Sequence, residues 1–425
     1  MNTVILNFYN DIKDNINFRS LLIFLLPITL IIGSAILNLV LVIIFFVFFF
    51  DLFKTRDFSI FKNYWVYFFL IFWFYTVISS IFFSGLDNSL KNSFSQIRFL
   101  TLIFFIYQNL NFKSYFIFVT VILICLVFVA IDSNTQFFTG LDIFGIPAEG
   151  YTYEKRIYQL NKDDTYHVGR LSGPFKDELI PGAYMAKFGI IMLSYFGSTY
   201  TKFNNVKKFF FILLVLFLLE SILISGERTS LIFYFILSIF LLINLIDLKK
   251  TFIISIILIF FISIIITSSE YLKSRLSDSI NIFNDYKNSS YGRLTISASQ
   301  VWKENLIFGV GLKNYRVKCK ELIDPIPDHK FSNCSSHPHN TLLELLSETG
   351  IVGLILYLLL IISLLRKKII NLTDKIKINL NILKAFIFLS LLPILPSGSL
   401  FTSWNATPFW IVIGLHLFLS KKINQ

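Results

Sequence analysis

Apolar runs of about twenty residues recur along the whole chain, the length a helix needs to cross a hydrocarbon layer roughly 30 Å thick. Unpaired backbone groups in lipid cost several kcal/mol each, so such runs must fold as helices. The runs and the breaks between them predict about twelve spans, at 20–35, 37–53, 64–84, 95–110, 115–138, 179–198, 207–225, 229–247, 251–268, 341–365, 382–397 and 404–420. The first two, in "LLIFLLPITLIIGSAILNLVLVIIFFVFFF", form either a tight helical hairpin or one long tilted helix. The chain is 55% hydrophobic and only 15% charged, with 50 phenylalanines, whereas a soluble domain of this length needs far more surface charge. The expected fold class is all-α, a polytopic membrane protein forming one integral membrane domain over residues 1–425.

Charge orients this set of spans. With the N-terminus inside, the inner segments hold Lys13, Arg19, Lys54, Arg56, Lys62, Lys113, Lys202, Lys207, Lys208, Lys249, Lys250, Arg366 to Lys368, Lys375, Lys377, Lys421 and Lys422. The short outer turns hold little beyond Lys91 and Arg228. That asymmetry follows the positive-inside rule and puts both termini in the cytoplasm. The net charge of +12 is then largely a topology signal, and no basic patch interleaved with aromatics points to nucleic acid. The first apolar run lacks a small-residue cleavage site and more spans follow it, so no cleavable signal peptide is expected.

Two segments are too long to be turns, 139–178 and 269–340, and both face outward in this orientation. Chemistry is expected there. A transporter would more often show interrupted spans with ionisable groups at mid-membrane, and these runs are mostly unbroken apart from Lys187 and Glu220, which read as interfacial or helix-packing groups. In the larger loop Cys319 and Cys334 bracket "KELIDPIPDHKFSN", and an oxidising compartment would permit a disulfide immediately before His337. Two free thiols are the alternative. A zinc site built from these cysteines with His337 and His339 would need a spacing that fits no usual ligand pattern.

The stretch "SNCSSHPHNTLLELLSETG" sets two of the chain's five histidines against an apolar run. Thr341 and Glu344 form a T-x-x-E capping box, predicting a helix from Thr341 with His339 just ahead of its N-terminus. The helix dipole there favours a neutral imidazole, which can accept a proton, and attracts anions such as phosphate. Pro338 restricts His337 to an extended backbone. Arg228 in the tight turn "LISGERTSL", Arg170 in "HVGRLSGPFKDELIPGAYMA" and Arg293 in "SSYGRLTISASQVWKENLIFGVG" come from separate loops and could together clamp a diphosphate. Snorkelling of Arg228, pairing of Arg170 with Asp177 or Glu178, and a surface position for Arg293 are the plainer accounts. Leu294, Ala298, Val301 and Trp302 recur at helical spacing, with Lys303 and Glu304 turned to water, as in an amphipathic helix on the membrane face. "GVG" at 309–311 reads as a turn, since it lacks the strand-turn-helix setting of a nucleotide loop. Asp177 and Glu178 are the nearest approach to a metal pair, and no metal or cofactor is expected.

The combination of "GRLTISASQVWKENLIFGVGLKNY", "HPHNTLLELLSETGIVGLILY" and a final pair of spans resembles the O-antigen ligase and polymerase superfamily of bacterial envelope enzymes, most strongly over 293–357. "SGERTSL" also looks like that family's arginine turn. The resemblance implies about twelve helices in a GT-C-like arrangement, with a large periplasmic loop over a cavity in the inner membrane. It implies transfer of a glycan from undecaprenyl diphosphate to an acceptor hydroxyl, with inversion and without a metal ion. By this carry-over His339, which precedes Asn340, is the general base, with His337 able to share the role, and Arg228, Arg170 and less firmly Arg293 hold the donor diphosphate. The leading reading is ligation to lipid A core. A polymerase acting on another lipid-linked repeat and a polysaccharide or lipid exporter are the alternatives.

Overall fold

The computed structural model describes residues 17–83, 86–149, 169–176, 178–323, 334–366, 373–392 and 396–421. Most of the smaller loop, Asp177 and the lysines at 13, 367, 368 and 422 lie outside the described residues. In chain order the helices are α1 (Phe18–Ile32), α2 (Ser34–Thr55), α3 (Tyr64–Phe83), α4 (Leu86–Ser95), α5 (Ile97–Asn109), α6 (Phe112–Thr139), α7 (Pro181–Thr199), α8 (Asn205–Ile224), α9 (Arg228–Leu245), α10 (Leu248–Thr267), α11 (Glu270–Asn284), α12 (Ser290–Glu304), α13 (Tyr315–Ile323), α14 (Thr341–Leu365), α15 (Asp374–Ser390) and α16 (Ser403–Lys421). No strand occurs among the described residues. Each expected span overlaps one of these helices, although the eleventh, expected to reach 397, ends at Ser390. The first two are separate, broken at Gly33 (φ 141°), and the eleventh starts earlier than expected, at Asp374, because its polar opening "DKIKINLN" is helical too.

Among the described residues, six helices are long and apolar enough to cross a membrane: Ser34–Thr55, Tyr64–Phe82, Phe112–Thr139, Arg228–Leu245, Leu248–Thr267 and Thr341–Leu365. The chain is thus an all-helical polytopic membrane protein. The difference from the expected dozen lies in short helices, such as the 13-residue α5, and in polar starts such as "NVKK" in α8.

The chain divides into two compact units. One comprises residues 1–37, 110–280 and 372–386, the other 38–109, 281–371 and 387–425. In the first, α6 packs on α1, α7 and α8, and α7 packs on α9. In the second, α14 packs on α3 and α12, and α5 on α16. Glu220 accepts hydrogen bonds from Asn134 (3.3 Å) and Ser221 (3.3 Å), which makes it a helix-packing group.

Helix α14 is the exception to unbroken spans. At Gly350 the backbone turns to φ 65°, ψ −173°, and the helical ladder is cut. The severed groups are taken up by the 306–311 segment. The amides of Val310 and Gly311 donate to the carbonyls of Ser347 (2.9 Å) and Glu348 (2.8 Å), while the amides of Ile351 and Val352 donate to Leu306 (3.0 Å) and Ile307 (3.3 Å). Tyr75 completes the repair by donating its hydroxyl to the Thr349 carbonyl at 2.6 Å. The "GVG" turn is therefore a patch for a broken helix, with Gly309 and Gly311 both at positive φ. A Cβ on Gly309 would lie 2.5 Å from the Glu348 carbonyl carbon, so the approach demands glycine.

Gly350→Ala tests this joint. A Cβ there would sit 2.2 Å from the Ile307 oxygen, and a backbone at φ 65°, ψ −173°, a region essentially reserved for glycine, costs another residue of order 1–3 kcal/mol. The thermal unfolding midpoint in detergent should drop by several degrees. A midpoint equal to wild type would show that the break does not need to be held open.

Candidate functional site

In the first unit, polar side chains at the end of α6 shape the chain that carries Arg170. Asp132 accepts the Ile143 amide at 2.8 Å, and Gln136 accepts the amides of Ser172 (2.9 Å) and Gly173 (2.8 Å). The Arg170 carbonyl accepts the Glu149 amide at 3.0 Å, and the next residue, Leu171, donates to the Ser225 carbonyl at 3.4 Å. Arg170 is thereby set beside the Ser225–Arg228 turn. Its Nη2 donates to the Leu179 carbonyl at 2.9 Å, in place of a pairing with Glu178. The nearby acid is Glu227, whose carboxyl is raised by burial and held back by the Arg170 guanidinium. Glu227 also accepts the Ala183 amide and the Ser230 hydroxyl, each at 3.1 Å, so it caps the N-terminus of α7 from another helix.

Arg228 opens α9 and meets Asp278 at 3.3 Å, an ion pair whose side chains are 26% and 57% exposed. Such an exposed pair contributes less than about 1 kcal/mol, and an incoming anion can compete for it. A third guanidinium joins the group. Arg275 of α11 donates from Nη2 to the Gly226 carbonyl at 2.9 Å and so ties down the turn that carries Arg228. Arg170 and Arg228 are thus brought together in one unit, whereas Arg293 belongs to the other. Arg293 lies near the start of α12, with its Nε buried and without a hydrogen-bond partner among the described residues.

In the second unit, Cys319 and Cys334 are joined, with an S–S distance of 2.01 Å and Cα atoms 5.7 Å apart. The bridge is packed among Ala298, Val301, Val310, Tyr315 and Leu343. The apolar face of α12 is consequently buried against protein, not laid on the membrane face as expected, while Lys303 and Glu304 are exposed as expected. Three residues beyond Cys334 come the histidines, with ring centroids 3.9 Å apart. His337 Nε2 faces the Ser397 carbonyl at 3.3 Å and must donate to it, which leaves Nδ1 to accept from the Ser336 hydroxyl at 3.0 Å. Both of its nitrogens are therefore occupied. His339 adopts a left-handed backbone, φ 53°, and its carbonyl accepts the Ser397 amide at 2.9 Å. Among the described residues, the polar contact recorded for its ring is Ser335 Oγ, 3.5 Å from Nε2, which is at most a weak bond. Burial, the neighbouring His339 and Lys313 push His337 down to about 3, and burial lowers His339 too. Both rings are neutral near pH 7.

The expected capping box is not formed. Asn340 is the N-cap of α14, accepting the Leu343 amide at 3.1 Å, while Glu344 turns inward. Glu344 accepts the Leu400 amide at 2.7 Å and the Ser399 hydroxyl, and Lys313 reaches the same hydroxyl and lies 3.9 Å from Glu344. Thr341 bonds Ser397 at 3.0 Å. The 397–400 segment, which holds both histidines by backbone contacts, is thereby anchored to α14. Residue spacing alone gave no sign of Glu227, Tyr271, Arg275, Lys313, Ser397 or Ser399. Only the position of Glu227 inside the arginine turn was suggestive. Among the described residues, no group of three or more histidines, cysteines or acids is placed to hold a metal ion.

These features define a helical membrane protein with a neutral imidazole pair in one unit and a guanidinium cluster in the other. Residues 209–358 match the family model described as O-Antigen ligase (Wzy_C), a match that supports the resemblance to the O-antigen ligase superfamily over that part of the chain. That family carries ligase- and polymerase-type glycosyltransferase functions on lipid-linked glycans. The matched segment contains Arg228, Arg293, His337, His339 and the disulfide, and Arg170 precedes it. No curated protein matches the chain.

The imidazole environment makes a pH prediction. His337 stays neutral down to about pH 3 in the folded protein but protonates near 6.5 when unfolded, so unfolding takes up a proton between those values. Stability should therefore fall as pH drops below about 6.5. In denaturation curves collected from pH 7 to 4, His337→Asn should flatten this dependence. An acid limb as steep as wild type would contradict the buried neutral ring.

Proposed function

We propose that the chain is an inverting, metal-independent glycosyltransferase that moves a glycan from undecaprenyl diphosphate to the hydroxyl of lipid A core. In this reading His339 is the general base. The observation that carries it is the asymmetry of the imidazole pair: His337 has both nitrogens engaged, whereas His339 has a neutral ring without a strong partner, inside the matched segment. The acceptor oxygen attacks the anomeric carbon as its proton passes to His339. The bond from that carbon to the phosphate oxygen breaks, and its electron pair leaves with undecaprenyl diphosphate. Water then takes the proton from the imidazolium. Positioned proton transfer of this kind typically contributes about a hundred- to ten-thousand-fold.

Arg170 and Arg228 hold the diphosphate in this scheme and stabilise the charge that builds on the leaving oxygens, the task a divalent ion performs elsewhere. The exposed, replaceable pairing of Arg228 with Asp278 supports that role. Arg293 is a weaker candidate for the same task. The reading sets the active groups at the periplasmic side of the inner membrane with both termini cytoplasmic, as the lysine and arginine asymmetry of the loops suggests.

Reconstituted protein with purified donor and acceptor tests the reading. His339→Ala should leave expression intact and abolish transfer, and turnover like wild type would remove the mechanism. Arg228→Lys should lower the rate at least tenfold, because an ammonium cannot supply the two-pronged contact of a guanidinium. Undiminished turnover would reduce Arg228 to an anchoring residue. In a deletion strain, loss of glycan attachment to lipopolysaccharide indicates ligation. Attachment of single repeats indicates a polymerase, and accumulation of donor on the cytoplasmic face indicates export.

A further inference from the structure

Tyr271 stands in the first turn of α11, its ring buried among Leu171, Leu223, Ile224 and Leu272. The residue is 9% exposed, and its hydroxyl is buried with no hydrogen-bond partner among the described residues. An orphaned hydroxyl of this kind is unfavourable, a penalty phenylalanine would avoid in the same space. The hydroxyl also occupies a specific place. Gly226 has φ +77°, and a Cβ on it would lie 2.0 Å from the Tyr271 oxygen and 3.4 Å from Arg170 Cγ. The oxygen thus rests directly on the backbone of the arginine turn, beside Arg170. The charges that act on it are those of Arg275, Arg170, Glu149 and Arg228, three cations against one anion. Burial pushes the phenol up to about 12, so it remains a proton-bearing donor at any physiological pH.

We propose that the Tyr271 hydroxyl donates a hydrogen bond to a diphosphate oxygen of the lipid-linked donor, and that Arg275 is a positioning residue that holds the Gly226 carbonyl so that the turn fits beneath it. The inference rests on the reading of Arg170 and Arg228 as the diphosphate site. It accounts for a polar atom that lacks a protein partner yet is seated against two guanidinium-bearing segments. A neutral donor completes such a site in a way a fourth cation would not, because it adds a directional bond without adding repulsion among the arginines.

The test compares full-length wild type with Tyr271→Phe, purified in detergent and titrated in parallel with farnesyl diphosphate and inorganic diphosphate. A lost hydrogen bond to a charged group should weaken binding of both probes by about tenfold or more. The unfolding midpoint of the ligand-free variant should stay unchanged or rise, since no protein contact is removed. Equal affinity of the variant and wild type for both probes overturns the inference. So does a loss confined to farnesyl diphosphate, which would assign the effect to the prenyl tail, and so does a lowered ligand-free midpoint, which would reveal a structural partner. Arg228→Ala separates the two levels. If it loses binding while Tyr271→Phe keeps it, the arginine site stands and the tyrosine falls. If wild type binds neither probe, both fall.

Discussion

A backbone amide or carbonyl buried away from water must find a partner, and that requirement shapes every irregular segment near the candidate site. Where α14 breaks at Gly350, four freed groups are met one by one by the 306–311 segment. Where the chain returns toward α7, Gln136 takes the amides of Ser172 and Gly173. Where the 397–400 segment has no helix to satisfy it, Glu344 takes the Leu400 amide and Ser397 pairs with His339 through the main chain. The residues given chemical roles in the proposed reading sit on or beside these repaired segments. Their positions are fixed by hydrogen bonds that would be costly to leave unmade, and helix packing plays a smaller part.

This division explains what the sequence revealed. Helices in an apolar setting announce themselves, because their side chains must be apolar over a fixed length, and each expected span overlaps a helix. The histidine pair and the arginine turn were visible because charged or imidazole side chains are rare against such a background. Glu344 was misread as a capping residue. Its spacing from Thr341 is right for a box, yet the same carboxylate satisfies a segment more than fifty residues away, and local spacing cannot choose between the two uses. Arg275 escaped notice for a related reason. It acts on a carbonyl 49 positions earlier, and nothing in "YLKSRLSD" marks it from an ordinary surface arginine. The break in α14 was hidden because "SETGIVGL" is apolar enough to pass as continuous helix, and glycine states only that a left-handed turn is permitted.

The two units differ in how they handle charge. In the second, burial strips both imidazoles of their protons, and Glu344, a fully buried acid with Lys313 nearby, is tied into a hydroxyl and amide network. In the first, the cations at the arginine turn are guanidiniums, which burial does not neutralise and which therefore need a counter-charge. Glu227 supplies part of it to Arg170, but its carboxylate is also committed to the start of α7 and to Ser230. The three guanidiniums of the cluster thus meet Glu227, Asp278 and Glu149, of which Glu227 is shared with other donors and Asp278 is exposed.

On the proposed reading, the looseness of this pairing governs turnover as well as binding. A cluster fully paired in the resting state would have to lose strong internal bonds before admitting a diphosphate, and a wholly unpaired one would retain its product. The Arg228 contact with Asp278 lies between these limits, being exposed and weak enough to yield to two adjacent phosphates yet present to receive the guanidinium when they leave. The buried contacts of Arg170 and Arg275 with main-chain carbonyls do not need to change in that exchange. On this reading the Arg228–Asp278 pair is the contact that yields, which lets a charged leaving group be held tightly in the transition state and still released.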